Sequence, residues 1–246
     1  HGAAREQGAK SCLFRHLRDN GAVMQTNRSM GRGELRRPPG AVERLCFAMD
    51  SALRTLAAHT PAARPVPGPP AEEVELSRGE ARRVGELLRV DHVGEVCAQA
   101  LYEGQTPTCR TESVRRHLRA AAREEADHLA WTRERLEEIG DRTSLLNPFW
   151  YAGSFLLGAV AGRIGDGVSL GFVDETEKQV EAHLAGHLEA LPAVDARSRA
   201  ILLQMKRDEM AHAAAARERG AVRLPPPVPG LMRACARVMT SVARYV

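Results

Sequence analysis

Glu124-Glu-Ala-Asp-His128 and Asp208-Glu-Met-Ala-His212 are two copies of one pattern. Each holds a Glu-x-x-His, Glu125 with His128 and Glu209 with His212. On a helix those two side chains stand about 60° apart and one turn along the axis, so both can reach one ion. Each copy also has a lone carboxylate about thirty residues upstream, Glu95 for the first and Glu177 for the second. Two such motifs and two single glutamates, each on its own helix, form a ligand set for a pair of metal ions inside a four-helix bundle. A single Glu-x-x-His in a Glu-rich helical chain is commonplace; two in register, each with its own upstream Glu, are specific.

The composition agrees with helix. The 246 residues suit one domain with a substantial core, or a domain plus a tail. Ala, Leu, Glu and Arg dominate, aromatics make up only 4%, and few β-branched or aromatic runs alternate with period two. The net charge of +4 is uneven: residues 1–40 carry eight Lys/Arg, such as Arg15, Arg36 and Arg37, against Glu6, Asp19 and Glu34. The remainder is near neutral and has no basic stripe with interleaved aromatics, so nucleic acid is not an expected partner. Cys12, Cys46, Cys97, Cys109 and Cys235 form no CxxC pair and are odd in number, which fits a reducing compartment better than a disulfide framework. No basic n-region precedes an apolar h-region, so secretion is not indicated. The chain starts at His1, and residues 1–40 are expected to be a disordered or mis-annotated extension, or an Arg-rich transit peptide.

Residues 41–75 read as a short helix and a linker. In 41–57, Val42, Leu45, Met49, Leu53 and Leu56 share one face; HTPAARPVPGPP then excludes helix by its proline density. The bundle is expected within 76–246. Ser77 and Glu80 form a capping box for a helix running to about Gly104 and carrying Glu95. Thr111 or Ser113 opens the second helix, which ends near Gly140. Asn147-Pro148 starts the next, and FWYAGSFLLGAVAG within it is apolar on every side. Fourteen residues are too few to span a bilayer, leaving a buried core helix or an interfacial segment. A third long helix covers about 168–190 with Glu177, and Pro192 ends it. Asp195 caps the fourth, which ends at Gly220. Residues 231–246 form a last amphipathic helix with Leu231, Cys235, Val238 and Val242 on one side and Arg233, Arg237 and Arg244 elsewhere. The fold expected is all-α: a four-helix bundle of two hairpins joined by an apolar crossover, with a short C-terminal amphipathic helix.

Oxygen-rich ligands with two imidazoles suit iron and leave positions open for dioxygen. Glu125 and Glu209 are expected to bridge two iron ions, Glu95 and Glu177 to be terminal, and His128 and His212 to bind one ion each. Asp208 and Glu124 are placed to accept the free ring N–H of the opposite histidine, Asp208 from His128 and Glu124 from His212. Asp174, Glu177 and Glu181 share a face, and periodicity does not choose among them. His92 is expected to be a structural hydrogen-bonder. Tyr102, two turns after Glu95, is either a phenol beside the metals or a plain core residue. His117 and His187 are expected at the surface, and Gly158 and Gly162 at a close helix approach.

Leu88-Arg-Val-Asp-His-Val-Gly-Glu95, continuing Val-Cys-Ala-Gln-Ala-Leu-Tyr-Glu-Gly-Gln105, resembles the first ligand helix of the demethoxyubiquinone hydroxylases, which are ferritin-like di-iron monooxygenases of ubiquinone biosynthesis. Glu124 to His128, LNPFWYAGSFLLGAVAG, Glu177 to His183, Asp208 to His212 and MTSVARYV continue the resemblance, which covers about 41–246. It implies that Glu177 is the third-helix ligand, since the family pattern places that Glu six residues before a His, here His183. His183 lies about 120° off that face, so it is expected in an outer or substrate-side role. Asp91 stands where relatives often carry Asn, and Leu184 where some carry Tyr. Nothing in residues 1–40 resembles the family, which points to a start near Met30.

The implied reaction is O2-dependent ring hydroxylation of a polyprenyl demethoxy-quinol. The resemblance further implies peripheral contact with the cytoplasmic face of a bacterial membrane (the mitochondrial inner membrane if eukaryotic), other ubiquinone-biosynthesis proteins as partners, and a homo-oligomer as one possible state. The competing reading is a ferritin-like iron-oxidising or peroxide-scavenging protein, which would use the same six ligands.

Overall fold

Seven α-helices account for most of the described residues of the computed structural model, which are 41–57, 61–71 and 75–246. The expectations for residues 1–40 lie outside them. The helices are α1 (Ala41–Ala57), α2 (Arg78–Gln105), α3 (Glu112–Glu138), α4 (Asn147–Ile164), α5 (Asp166–Ala190), α6 (Ala196–Glu218) and α7 (Pro227–Ala243). Caps appear where the sequence places them. Ser77 N–H donates to Glu80 Oε2 over 2.9 Å while Glu80 N–H returns to Ser77 Oγ over 3.3 Å, and the Thr111 and Asp195 side chains accept from Val114 and Ser198. Two helices begin earlier than read: α5 at Asp166, and α7 at Pro227, because proline fits a first turn.

α2 with α3 and α5 with α6 form two hairpins, and α4 crosses between them. The bundle is the all-α, ferritin-like architecture expected. Its interior is layered. Leu88, Trp131, Leu184, Ile201 and Met205 pack one end, and Tyr102, Leu118, Leu170, Val173 and Ala216 pack the other. Between these apolar layers lie the four glutamates and two histidines singled out above.

The crossover lies against α2 at backbone distance. A Cβ on Gly104 would sit 2.2 Å from the Phe155 carbonyl oxygen, and one on Gly158 only 2.3 Å from that of Leu101. The outer side of α4 is not core: Phe149, Leu156, Leu157, Val160 and Ile164 are exposed. Of the two readings left open for this helix, burial is therefore corrected, because one side is spent on α2 and nothing among the described residues covers the other. α7 departs similarly. Met239 and Ala243 pack inward on Val90 and Val93, while Leu231 and Val238 point out, so the apolar side read from Leu231, Cys235, Val238 and Val242 is largely the outer one. On α1, Ala52 and Leu56 pack on Val96, Ala100, Leu129 and Tyr151, whereas Met49 and Leu53 are exposed. No helix of the described residues is long and apolar enough to cross a membrane.

Candidate metal centre

Four helices each send one carboxylate to the middle of the bundle: Glu95 from α2, Glu125 from α3, Glu177 from α5 and Glu209 from α6. All are 1% exposed or less, as is His128, and His212 is 5% exposed. Two overlapping groups result. Glu95, Glu125, His128 and Glu209 bring ligand atoms within 4.8 Å of one another, and so do Glu125, Glu177, Glu209 and His212. Glu125 and Glu209 belong to both.

The histidines are oriented alike. His128 Nδ1 faces inward, 3.2 Å from Glu125 Oε2, 3.3 Å from Glu209 Oε1 and 3.4 Å from Glu95 Oε2. Its Nε2 lies 2.9 Å from Asp208 Oδ2. His212 Nδ1 is 3.2 Å from Glu125 Oε1, and its Nε2 is 3.0 Å from Glu124 Oε2. Each Nε2 donates its ring N–H to a carboxylate outside the cluster, which leaves Nδ1, once deprotonated, as the atom that can bind a cation at the centre. Tyr102 donates its hydroxyl to Glu177 Oε1. Periodicity could not separate Asp174, Glu177 and Glu181; burial does, since Asp174 pairs outward with Lys178 and Arg217, and Glu181 with Lys206.

Four acids in so small a volume strain its electrostatics. Burial, then the Glu125 charge, pushes Glu95 well above the usual carboxylate range, and burial with Glu209 does the same to Glu177. Burial also resists ionisation of Glu125, but the adjacent His128 outweighs it and holds that acid well below the range. Both imidazoles are disfavoured as cations by burial; Glu125 and Asp208 nevertheless raise His128 well above its ordinary value, and Glu125 with Glu209 raises His212 to about 12.

The residues fit a pair of cations. Glu95 Oε1, Glu125 Oε1, Glu177 Oε2, both Glu209 oxygens and His212 Nδ1 are buried without a well-aligned hydrogen bond. Buried acceptors aimed at one point are costly alone and favourable around a metal ion. The donor set, carboxylate with imidazole and no thiolate, is that of iron or manganese rather than of a structural zinc site.

Beside the centre, a mostly apolar cavity of about 730 Å³ lies between α2, α4, α5 and α7, with Glu95 on its wall. Asp91 and His183 line it as well. Asp91 Oδ1 accepts from His187 Nδ1 over 2.8 Å, while Asp91 Oδ2 and His183 Nε2 are buried without a hydrogen bond, the latter 3.9 Å from Asp91 Oδ1. Here two expectations are corrected: His187 is 6% exposed and His117 9%, not surface residues. His187 is drawn inward by Asp91. His117 lies near Arg219 and His212, and burial, reinforced by those two charges, lowers it to about 4. His92 is the structural hydrogen-bonder expected, with Nδ1 2.9 Å from Thr132 Oγ1. No local signal marks the Asp91–His187 pair, since its members lie 96 residues apart.

A ferritin-like helical bundle with a buried, twofold-repeated carboxylate–histidine centre is the class these features define. Residues 82–243 match the family described as ubiquinone biosynthesis protein COQ7, and the chain belongs to that family. It is 58% identical over 206 residues to the 3-demethoxyubiquinol 3-hydroxylase of Polaromonas sp. strain JS666, covering 84% of this chain and 99% of that one. The proteins of the same name from Nitrosomonas europaea and Delftia acidovorans are 55% and 54% identical, each over 83% of this chain and 99% and 100% of their own length.

Proposed function

We propose that this protein is a 3-demethoxyubiquinol 3-hydroxylase, an O2-dependent monooxygenase acting on the ring of a polyprenyl demethoxy-quinol through two iron ions. The observation that carries the reading is the shared pair Glu125 and Glu209, common to both ligand groups, set beside an apolar cavity that Glu95 also borders. Glu95 and His128 would complete the ligands of one ion, Glu177 and His212 those of the other. When bound, the ions supply the binding and reduction of dioxygen. The remaining steps belong to the chain. The cavity's size and apolar wall suit a quinol ring with the start of a prenyl tail, and exclude water from the reacting face. The Asp91 carboxylate, held by His187, accepts a ring hydroxyl at Oδ2, and His183 Nε2 offers a second partner. Burial, opposed by Asp91, lowers His183 below its ordinary value, so it meets the substrate as a neutral imidazole.

Asp91→Leu is expected to raise KM for the quinol about tenfold, the worth of one hydrogen bond, with iron content unchanged. Asp91→Asn keeps an acceptor and should retain most of the activity. Unchanged KM in the leucine variant would remove Asp91 from the substrate site.

The exposed stripes of α4 and α7 flank this cavity, with Arg163 and Arg237 also exposed. They support peripheral seating on a membrane, from which a greasy substrate enters; the cytoplasmic face is the side proposed. The test is the quinone profile, by mass spectrometry, of a bacterium lacking its own enzyme of this kind and expressing the full chain. Mature ubiquinone replacing the demethoxy intermediate is the expected result. A persistent intermediate, with the protein present and carrying iron, would point to iron oxidation or peroxide scavenging instead.

A further inference from the structure

The proline-rich segment 61–71 is not a spacer. Ala63 N–H donates to Asp127 Oδ1 over 2.6 Å, the Trp131 indole N–H donates to the Arg64 carbonyl over 3.3 Å, and Arg197 reaches the Pro69 carbonyl over 2.9 Å. Gly68 adopts φ +96°, and a Cβ there would lie 2.8 Å from Ala200 Cβ, so the segment lies directly on α6. This strap delivers one side chain toward the centre. Arg64 Nε bonds Asp127 Oδ2 over 2.6 Å, Nη1 bonds Asp208 Oδ2 over 2.8 Å, and the guanidinium lies 4.7 Å from the Trp131 ring centre.

Asp208 is the carboxylate against His128 Nε2, and Gln204 Nε2 holds its other oxygen over 2.9 Å. Three side chains therefore immobilise it. Its counterpart differs. The Glu124 side chain is 46% exposed against 13% for Asp208, and among the described residues it bonds His212 alone. The repeat that makes the two Glu-x-x-His motifs alike thus stops at the carboxylates behind them.

We propose that Arg64 is a positioning residue that makes the two halves of the metal centre unequal. Through Asp208 it locks the tautomer and ring plane of His128, so the half containing His128 is preformed, while the half containing His212 is held by a solvent-facing carboxylate. The inference rests on the ligand assignment proposed above. Bridging Asp127 and Asp208 needs two donors in a fixed fork, which arginine has and lysine lacks.

The test is cobalt(II) uptake by the full chain stripped of metal, followed by calorimetry and by the hyperfine-shifted imidazole N–H signals of the cobalt form. Wild type should take up two ions in two resolved steps and show one N–H that exchanges slowly with solvent and one that exchanges fast. Arg64→Gln should weaken one step about 10–100-fold, the usual loss for an outer-shell substitution, leave the other within about twofold, and make the slow N–H fast. Arg64→Lys should recover little of the loss. A strap that only anchors the chain would lower the melting temperature of Arg64→Gln while leaving both steps and both exchange rates as in wild type; that result overturns the proposal. So would two equal steps in wild type. Wild type that takes up no cobalt would instead sink the ligand assignment, and the positioning role with it.

Discussion

Glu209→Ala is expected to abolish ring hydroxylation, lowering turnover more than about a hundredfold, beyond the 10–100-fold that an outer-shell change costs. Glu209 belongs to both ligand groups, so its loss should empty the centre rather than weaken one half. Helix content by circular dichroism should be retained. Glu209 raises the pKa of both Glu95 and Glu177 in the folded protein, so removing it relieves repulsion that offsets the lost contacts to His128 and His212. The melting temperature of the metal-free variant should therefore stay near that of metal-free wild type, while the stabilisation by added iron(II) disappears. An active variant with two bound ions would refute the assignment of Glu209 as a bridge.

The same groups set a pH dependence. In metal-free wild type the folded-state pKa values of Glu95, Glu177, His128 and His212 are all raised. A raised pKa contributes stability below the unfolded value that is lost as pH climbs toward the folded one. Metal-free protein should thus lose stability between about pH 7 and 9, above the unfolded values of these acids and histidines; below that interval His92, His117 and His183, whose folded-state values burial lowers, act in the opposite sense. Cations bind the deprotonated forms, so uptake should release protons, and the gap in melting temperature between loaded and metal-free protein should widen over that interval. Calorimetry in buffers of different ionisation enthalpy measures the release; a gap that narrows with rising pH would contradict the sign.

Gly158→Val is expected to cost about 3 kcal/mol, the upper end for overpacking, and so to lower the melting temperature by roughly 6–12 °C. The atoms that a new Cβ would meet, 2.3–3.1 Å away, are the backbone of Leu101. A flexible side chain could rotate aside; a helix backbone cannot, so α4 must move off α2. Because both helices line the cavity, quinol turnover should fall even at temperatures where the variant stays folded. Gly153→Val is the control. A Cβ there meets nothing within 4 Å, so it should melt within a few degrees of wild type. Equal melting of the two variants would show that the α2–α4 contact is not what holds the crossover.

The ligands were legible because their chemistry is local: a helical turn places Glu125 near His128 whatever the rest of the chain does, and duplication removes coincidence. The caps at Ser77, Thr111 and Asp195 were legible for the same reason, each being satisfied within three residues. Arg64 and Asp127 were not, since 63 residues separate them and an arginine among prolines has no periodicity to betray a destination. Asp91 and His187 meet across 96 residues. The outward sides of α4 and α7 show the limit most plainly: hydrophobicity says that a surface avoids water, and not what covers it. Sequence therefore settles interactions that close within a helical turn, including the caps and the two Glu-x-x-His pairs of the repeat. Which carboxylate is clamped, which histidine is buried and which apolar face stays open depend on contacts between distant segments, whose energies exist only once the helices are packed.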